Sequence, residues 1–241
     1  MITHGAAMAR ARTVWITGGT KGIGLGLVQA FCAAGYQVVT CARSAPENPL
    51  PQGVLFHAAD LRDPDQVAGC VAACMDHFGA LDVLINNAGG SPMVEAAQAS
   101  PRFSEAIIKL NLLAPLYCAT QAQAVMAQQA EGGVVINIAS VSGLRASPGT
   151  AAYGAAKAGL INLTQSLAVE WAPKVRVNAI ALGMVATASA QDHYGEAEAQ
   201  ERVAASVPLQ RLAHADDAAD LCLFLAGAGA RYMSGACIPL H

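Results

Sequence analysis

Short apolar segments alternate with longer segments of helical periodicity along nearly the whole chain. The strand-like segments are residues 14–17, 37–41, 54–58, 83–85, 134–138, 175–180 and 236–240. The helix-like segments are residues 23–34, 64–78, 104–129, 151–171 and 213–225. Because parallel strands need long, usually helical crossovers, this alternation predicts βαβ units, and continuously apolar strands predict a sheet buried on both faces. We expect one doubly wound α/β domain over residues 1–241, with about seven parallel strands and helices on both faces.

Composition excludes several classes of protein. Of the 241 residues, 54% are hydrophobic and 13% charged, which is unlike a disordered chain. Fourteen basic residues against seventeen acidic ones give a net charge of -3, so no basic field predicts a nucleic-acid partner. No apolar run reaches the roughly 18 residues of a membrane-spanning helix, so no membrane partner is expected. Residues 1–12 read as a loose arm, and the polar, acidic residues 187–208 as a substrate lid.

Seven cysteines occur without a Cys-x-x-Cys motif, and six histidines are scattered along the chain. The cysteines fall in strand-like and helix-like segments, as small buried apolar side chains do. This pattern favours free thiols in a reducing compartment over disulfides, and we expect a cytoplasmic protein. Neither residue type shows the spacing of metal ligands, so we predict no metal site.

A glycine-rich loop joins the first predicted strand to the first predicted helix. Glycine lets a backbone turn tightly and approach a diphosphate, and the N–H groups at a helix N-terminus favour an anion. The position between a strand and a helix makes this loop a stronger signal than glycine content alone. We therefore expect it to cradle the phosphates of a dinucleotide through Gly18, Thr20, Lys21, Gly22, Ile23 and Gly24.

The end of the second strand predicts which dinucleotide binds. A cofactor with a free ribose 2′-hydroxyl usually meets an acidic residue there. Here the segment contains Arg43 and no acid before Glu47. Arg43 can form charge-assisted bonds to a 2′-phosphate, and Lys21 can approach the same group. We expect NADP(H), although both cations could also be solvated surface residues.

A group of polar residues predicts the chemistry. Tyr153 and Lys157 lie four residues apart on a predicted helix and therefore share a face. A nearby ammonium and an oxidised nicotinamide would lower the pKa of a tyrosine and make it a usable general acid or base. Ser140 follows the predicted strand 134–138, where its hydroxyl could hold a substrate oxygen. Asn111 lies inside a predicted helix, a poor position for Asn unless its amide or a displaced carbonyl is used.

These motifs together resemble those of the short-chain dehydrogenase/reductase family, over residues 13–240. The glycine loop is similar to the family's Thr-Gly-x-x-x-Gly-x-Gly, and Asn86 to Gly89 match its Asn-Asn-Ala-Gly. The resemblance implies a Rossmann-like fold and an NADP(H)-dependent oxidoreductase. It also implies a catalytic tetrad, which would be Asn111, Ser140, Tyr153 and Lys157.

The resemblance also implies a role for each residue. Tyr153 would exchange the proton, and Ser140 would orient the substrate oxygen. Lys157 would bind the nicotinamide ribose and lower the pKa of Tyr153, and Asn111 would hold a water that links Lys157 to solvent. Further cofactor contacts would come from Asp60, Leu61, Asn87, Ala88, Gly89, Gly183, Val185 and Thr187.

Two departures from the family pattern stand out. Leu182 replaces the proline that the family usually has before Gly183, which puts the detail of the nicotinamide contacts in question. The sequence ends in Ile238-Pro239-Leu240-His241 where the family often has Val-Asp-Gly-Gly. Proline cannot donate to a β-ladder, so Pro239 predicts an edge strand.

The segment 151–171 is apolar around much of its circumference, which predicts burial on both sides. One side would pack on the sheet and the other could meet a second subunit. The resemblance implies that this helix and the long helix before it form a dimer interface. We expect a homotetramer, with a dimer as the alternative. The helix residues that carry this prediction are Ala158, Leu160, Ile161, Leu167 and Val169.

The substrate is the least constrained prediction. We expect a pocket formed by residues 90–94, 141–149 and 183–204, with a mixture of apolar and polar side chains that suits a medium-sized ketone. A 3-oxoacyl-carrier-protein reductase shares all these motifs and is the alternative. A non-catalytic nucleotide sensor on the same fold is a third hypothesis. The candidate pocket residues are Met93, Leu144, Met184, Val185, Arg145, His193 and Tyr194.

Overall fold

A computed structural model describes residues 10–186 and 196–241. Their strands form one seven-stranded sheet in the order β3-β2-β1-β4-β5-β6-β7. Every neighbouring pair is parallel, as the alternation of strands and helices predicts. The strands are β1 (Thr13–Thr17), β2 (Gln37–Ala42), β3 (Leu55–Ala58), β4 (Val83–Asn86), β5 (Gly133–Ser140), β6 (Val175–Leu182) and β7 (Cys237–Leu240).

Helices connect the strands and cover both faces of the sheet. None of the helices in the described part of the chain is long and apolar enough to cross a membrane. The α-helices are α1 (Gly22–Ala33), α2 (Pro64–Phe78), α3 (Pro101–Ile108), α4 (Ala114–Met126), α5 (Ala151–Glu170), α6 (Ala197–Ser206) and α7 (Ala215–Ala226).

Adjacent residues of the central strands enter two separate apolar cores. Trp15 of β1 packs in a core with α2, α4 and α5, whereas its neighbour Ile16 packs in a second core with α1 and α7. Leu84 and Ile85 of β4 divide in the same way. Because successive strand side chains point to opposite faces, a strand covered on both sides must be apolar throughout.

The strand order reverses between β1 and β4, which are neighbours although β2 and β3 lie between them in sequence. After β1 the chain moves outward to β2 and β3, and after β4 it moves the other way to β7. The crevice outside the carboxyl ends of two such strands is where ligands bind in open α/β sheets. The glycine loop follows β1 and the Asn86–Gly89 segment follows β4, so both motifs meet at this crevice.

The predicted helix 104–129 differs from the structure. It begins earlier, at Pro101, where the Ser100 side chain caps the helix by accepting a 3.1 Å hydrogen bond from the N–H of Phe103. A π-helical turn, Lys109–Leu113, then separates α3 from α4. A π turn places one extra residue in the helix, which the apolar periodicity of the sequence does not reveal. The predicted strands 134–138 and 175–180 each end two residues later, at Ser140 and Leu182, and the first of them begins one residue earlier, at Gly133.

The described residues of the predicted N-terminal arm are anchored. Both Nη atoms of Arg10 donate to Asp82, at 2.6 Å each, and Arg12 donates to the carbonyl of Ala226 at 2.7 Å. Residues 1–9 lie outside the described residues, as does the 187–195 part of the predicted lid. The remainder of that lid contains α6.

Strand β7 lies at the edge of the sheet, as Pro239 predicts. The carbonyls of Ala236 and Leu240 accept hydrogen bonds from Ala179 and Gly183 on the β6 side. Because alternate strand residues direct their backbone groups to opposite sides, Pro239 faces away from β6. The missing N–H of proline therefore leaves no gap in the ladder.

The Asp82 carboxylate joins the start of β1 to the turn before β4, and we expect its loss to destabilise the fold. Asp82 is 5% exposed and accepts a 2.7 Å bond from the buried N–H of Thr13 as well as the two bonds from Arg10. Asp82→Ala should lower the free energy of unfolding by about 2 kcal/mol, because it leaves a buried donor unpaired. Arg10→Ala removes only the half-exposed partner and should lower the free energy of unfolding by less than about 1 kcal/mol. Urea denaturation at one protein concentration compares the two, and equal losses would contradict this role.

Candidate active site

A cavity of about 540 Å³ opens at the crevice between the carboxyl ends of β1 and β4. Twelve residues predicted to bind the cofactor line it, from four segments that are distant in sequence. These twelve are Gly18, Thr20, Lys21, Gly22, Ile23, Gly24, Arg43, Asp60, Leu61, Asn87, Ala88 and Gly89. The other lining residues, which the sequence did not single out, are Cys41, Ala42, Ala59, Arg62 and Leu110.

The glycines allow the loop after β1 to fold tightly against itself and against the end of β4. Gly18 has a φ of +69° and Gly22 a φ of +54°, a backbone region that favours glycine. A side chain at Gly24 would collide with the carbonyl oxygen of Gly18, and its Cβ would lie 2.6 Å from Nδ2 of Asn87. The loop therefore keeps its backbone within reach of a ligand in the cavity.

The first turn of α1 fits an anionic ligand. The residue before it, Lys21, makes no capping side-chain hydrogen bond, whereas α2 is capped by Asp63 and α3 by Ser100. The first four N–H groups of a helix have no partner within the helix, and its dipole favours negative charge. The narrow glycine cradle and this helix end suit the diphosphate of a dinucleotide.

Thr40 of β2 binds the glycine loop through side-chain hydrogen bonds, a contact that the sequence did not predict. Its Oγ1 accepts a 3.0 Å bond from the N–H of Gly19 and donates a 2.7 Å bond to the carbonyl of Ile16. The Gly19 N–H therefore faces the protein rather than a ligand. A side chain at Gly19 would collide with Thr40 Oγ1, which explains the second glycine of the loop.

Four charged side chains line the cavity. Lys21 and Arg43 were predicted to meet the cofactor, and Asp60 follows β3 as expected. Arg62 was missed, although it stands only two residues after Asp60 in the sequence. Its guanidinium forms a bidentate ion pair with the Asp60 carboxylate, with Nε 2.9 Å from Oδ1 and Nη2 2.5 Å from Oδ2.

The Lys157 ammonium is buried at the carboxyl end of β5. The residue is 3% exposed, and its Nζ donates a 2.7 Å bond to the carbonyl of Ile138. The same Nζ lies 5.6 Å from the centre of the half-buried Tyr153 ring, as expected for two residues on one helix face. Burial disfavours the charged form and lowers the pKa of Lys157 to about 8.

Asn111 lies in the π-helical turn, and its side chain binds the segment after β4. Its Oδ1 accepts a 2.8 Å bond from the N–H of Gly90, and its Nδ2 donates to the carbonyls of Gly90 and Ile107 at 2.9 and 3.0 Å. The prediction that this internal Asn uses its amide is therefore confirmed. Gly89 lies between two candidate catalytic residues, since a Cβ there would be 2.6 Å from Asn111 Oδ1 and 3.4 Å from Lys157 Nζ.

Ser140 is the last residue of β5 and lies two residues after Ile138, whose carbonyl binds Lys157. Its Oγ accepts a 3.1 Å bond from the N–H of Ser142, which holds the hydroxyl above the strand end. The structure thus gathers Ser140, Tyr153 and Lys157 at the end of β5, and Asn111 beside Lys157.

The predicted contacts after β6 are only partly described. The segment around Val185 forms a parallel bridge with Ala213, and Gly183 donates a 2.9 Å bond to the carbonyl of Leu240. Val185 is 7% exposed and packs in the core. Thr187 lies outside the described residues.

The predicted substrate-pocket residues do not all lie together. Leu144 and Arg145 line a separate cavity of about 670 Å³ beside the start of α5. Met93 is 64% exposed and lies against Gly149, which places it between the segments after β4 and β5. His193 and Tyr194 lie outside the described residues. Within residues 10–186 and 196–241, no group of three potential ligands could hold a metal ion.

Comparison with known proteins places this site in a family. Residues 18–240 match a family model described as Enoyl-(Acyl carrier protein) reductase. The chain is 33% identical to 2-(R)-hydroxypropyl-CoM dehydrogenase of Xanthobacter autotrophicus, covering 95% of this chain and 97% of that one. It is 32% identical to the 3-oxoacyl-[acyl-carrier-protein] reductase of Staphylococcus aureus, covering 97% and 98%.

Solved structures agree with the sequence relatives. A short chain dehydrogenase from Bacillus anthracis superposes with a TM-score of 0.85 at 30% identity, covering 95% of this chain and 94% of that one. The structure of ElxO with NADP bound has a TM-score of 0.88 at 29% identity, covering 95% and 97%. The chain therefore belongs to the short-chain dehydrogenase/reductase family and is an oxidoreductase that transfers a hydride between a nicotinamide and an alcohol or ketone.

Proposed function

We propose that this protein is an NADP(H)-dependent reductase of ketones in which Tyr153 is the general acid and base. The observation that carries this proposal is the buried Lys157 ammonium, held by the Ile138 carbonyl and 5.6 Å from the Tyr153 ring. Burial of an ammonium is costly even when a hydrogen bond offsets part of the cost, so a buried lysine in a cleft points to a functional role. Here it lies beside a tyrosine, at the end of the sheet where ligands bind.

Bound nicotinamide supplies the hydride for reduction and accepts it for oxidation. Tyr153 donates a proton from its hydroxyl to the substrate oxygen as that oxygen gains negative charge. Ser140 donates a hydrogen bond to the same oxygen and so fixes its position. Lys157 places a positive charge beside Tyr153, which stabilises the phenolate left after the transfer. Asn111 fixes the Gly89–Gly90 backbone against Lys157 and supports the water that returns the proton.

Two cations at the adenosine end support NADP(H) over NAD(H). Lys21 and Arg43 line the cavity, and no acidic residue follows β2 to accept the ribose hydroxyls. A 2′-phosphate carries about −1.5 to −2 charges at neutral pH, which two cations can match. ElxO, one of the structural relatives, is described with NADP bound.

A 3-oxoacyl-carrier-protein reductase is the second candidate. The 32% identical Staphylococcus aureus reductase favours it, and the description of the family model also names an acyl carrier protein. Both candidates need the same hydride and proton transfers, so they differ only in what the substrate carries beyond its ketone. The third hypothesis, a nucleotide sensor without catalysis, would have no need of Ser140, Tyr153 and Lys157 together.

We also propose a homo-oligomer, a tetramer or a dimer, that packs through α5. Leu160 and Leu167 are buried against the sheet, whereas Val169 is 81% exposed and Ala158 is also exposed. Together with Ala155 they give this helix a small-residue outer face on which a second copy could pack closely. All seven cysteines carry free thiols, which supports a reducing compartment such as the cytoplasm.

Tyr153→Phe tests the assigned proton donor together with the reaction. The purified protein is assayed for NADPH oxidation with a steroid, an aryl diketone and a 3-oxoacyl thioester. Loss of a general acid should lower kcat by about 10²- to 10⁴-fold, while the Kd for NADPH changes by less than about threefold. Tyr232→Phe, at a fully exposed tyrosine, is the control and should behave as the wild type. Retained turnover in Tyr153→Phe would exclude this mechanism, and no turnover with any ketone would favour the sensor.

Arg43→Asp should move the cofactor preference from NADPH toward NADH. The new carboxylate repels a 2′-phosphate and can accept hydrogen bonds from the two ribose hydroxyls. We expect the Kd for NADPH to rise at least about tenfold and that for NADH to stay level or fall. Arg102→Asp makes the same charge change on the exposed start of α3 and serves as the control. An unchanged ratio of the two Kd values would show that Arg43 is only a surface cation.

Lys157→Met should stabilise the cofactor-free protein while it abolishes turnover. The pKa of Lys157 is about 8 in the folded protein, below the 10.5 of an exposed lysine. A lysine with a lowered folded pKa opposes folding below pH 8, and stability recovers as the pH rises from 8 to 10.5. The variant should therefore gain roughly 1–3 kcal/mol at pH 7 and less at pH 9.5. Urea denaturation at both pH values measures this, with exposed Lys174→Met as the control. A gain that does not shrink with pH would exclude a charge effect.

A further inference from the structure

An ion pair at the rim of the cofactor cavity has no part in the mechanism above. Asp60 and Arg62 lie in the turn between β3 and α2, and both line the cavity. Arg62 Nε lies 2.9 Å from Oδ1 and 3.1 Å from Oδ2 of Asp60, and Nη2 lies 2.5 Å from Oδ2. Both side chains are about one-third exposed, at 34% for Arg62 and 29% for Asp60.

Local bonds hold this pair in place before any ligand binds. The Asp60 carboxylate also accepts a 3.1 Å bond from the backbone N–H of Arg62. The N–H of Asp60 donates a 2.8 Å bond to the side chain of Gln66 in α2, and the Asp63 side chain caps that helix. The turn therefore directs Arg62 back across Asp60 rather than out into solvent.

The pair alters the net charge of the side chains that line the cavity. Three cations line it (Lys21, Arg43 and Arg62) together with one carboxylate, Asp60, so three positive charges and one negative charge leave a net charge of +2. That charge matches the −1.5 to −2 of a phosphate monoester at neutral pH. Without Arg62 the net charge would fall to +1, with an unpaired carboxylate facing the same ligand.

Asp60 also acts on Arg43, the cation predicted to bind the cofactor. The pKa of Asp60 lies below its usual value, mainly because of the hydrogen bonds from Arg62 and to a smaller extent because of the charge on Arg43. Arg43 is thus close enough for its charge to be felt at Asp60. Within the described part of the chain, Arg43 has no hydrogen-bond partner, whereas the Asp60 oxygens are already occupied by Arg62. If Arg62 were absent, Asp60 would be free to pair with Arg43.

We propose that Arg62 is a positioning residue that sets cofactor choice, because it neutralises Asp60 and so leaves Arg43 free to bind the 2′-phosphate of the dinucleotide. This inference rests on the proposed preference for NADP(H). It assigns to Arg62 an indirect role, through Asp60, rather than a contact with the hydride-transfer end of the cofactor.

Binding of two adenosine fragments tests the role of Arg62 without turnover. The full-length protein is titrated calorimetrically with adenosine 2′,5′-bisphosphate and with AMP, which differ only in the 2′-phosphate. Arg62→Gln should raise the Kd for the bisphosphate about tenfold, as expected when one nearby charge is lost, and that for AMP less than about twofold. Arg102→Gln removes one positive charge from the exposed surface of α3 and should change neither value.

The double variant Asp60→Asn/Arg62→Gln separates neutralisation from direct contact. With the carboxylate gone there is nothing for Arg62 to neutralise, so the ratio of the Kd for AMP to the Kd for the bisphosphate should return to within about threefold of the wild-type ratio. Asp60→Asn alone should keep that ratio at or above the wild-type value, because any contact of Asp60 with the adenine affects both fragments alike. Recovery of the preference for the bisphosphate in the double variant would also exclude misfolding of the turn as the cause of weaker binding in Arg62→Gln.

The outcomes that overturn this inference differ from those that overturn the proposed function. If the wild type prefers the bisphosphate but Arg62→Gln weakens both fragments equally, or neither, the role of Arg62 is wrong and the NADP(H) preference stands. A double variant as weak as Arg62→Gln also overturns it, since neutralisation of Asp60 would not be the cause. If the wild type itself does not prefer the bisphosphate, both the NADP(H) preference and the role of Arg62 fail.

Discussion

The direct junction between the ends of β1 and β4 is the interaction on which the site depends. Thr17 Oγ1 accepts hydrogen bonds from the N–H groups of Asn87 and Ala88, both at 2.9 Å. In return, Asn87 Nδ2 donates a 2.8 Å bond to the Thr17 carbonyl. These bonds join two segments 70 residues apart at the point where the strand order reverses. The glycine loop and the segment after β4 therefore form two walls of one cavity, and a bulkier loop would separate them.

The buried charge of Lys157 opposes folding, and the role proposed for this residue would account for that cost. Removing an ammonium from water is unfavourable, and its lowered pKa is the measure of that cost. The structure offsets part of the cost with the Ile138 carbonyl and the face of the Tyr153 ring. The π-helical turn at Asn111 is a second irregularity, because it departs from regular α-helix geometry where Asn111 reaches Gly90. Both features lie at the same corner of the site. Departures from local structural preferences are common at functional sites.

Local signals predicted most of the fold and most of the residues that line the cavity. Strand and helix types follow from the spacing of apolar residues, and the glycine loop follows from the backbone conformations that only glycine adopts easily. Element ends were less accurate, as the longer β5 and β6 show, because the pairing of β5 with β6 and of β6 with β7 decides where these strands end, and the apolar pattern of one segment does not contain it. The π turn was not predicted because one inserted residue barely changes the apolar pattern of a long helix. The contacts of Thr40 and Arg62 were not predicted because neither residue belongs to a motif.

The sequence by itself determined the class of fold, the glycine-rich loop of the cavity and the identity of the residues that gather at the end of β5. It could do so because periodicity, glycine requirement and spacing along a helix are properties of neighbouring residues. Only the tertiary structure decided that Gly89 lies between Asn111 and Lys157, that Thr40 holds Gly19, and that Arg62 folds back over Asp60 at the cavity rim. Those contacts depend on where separate strands end in space and on which way a side chain turns once they meet.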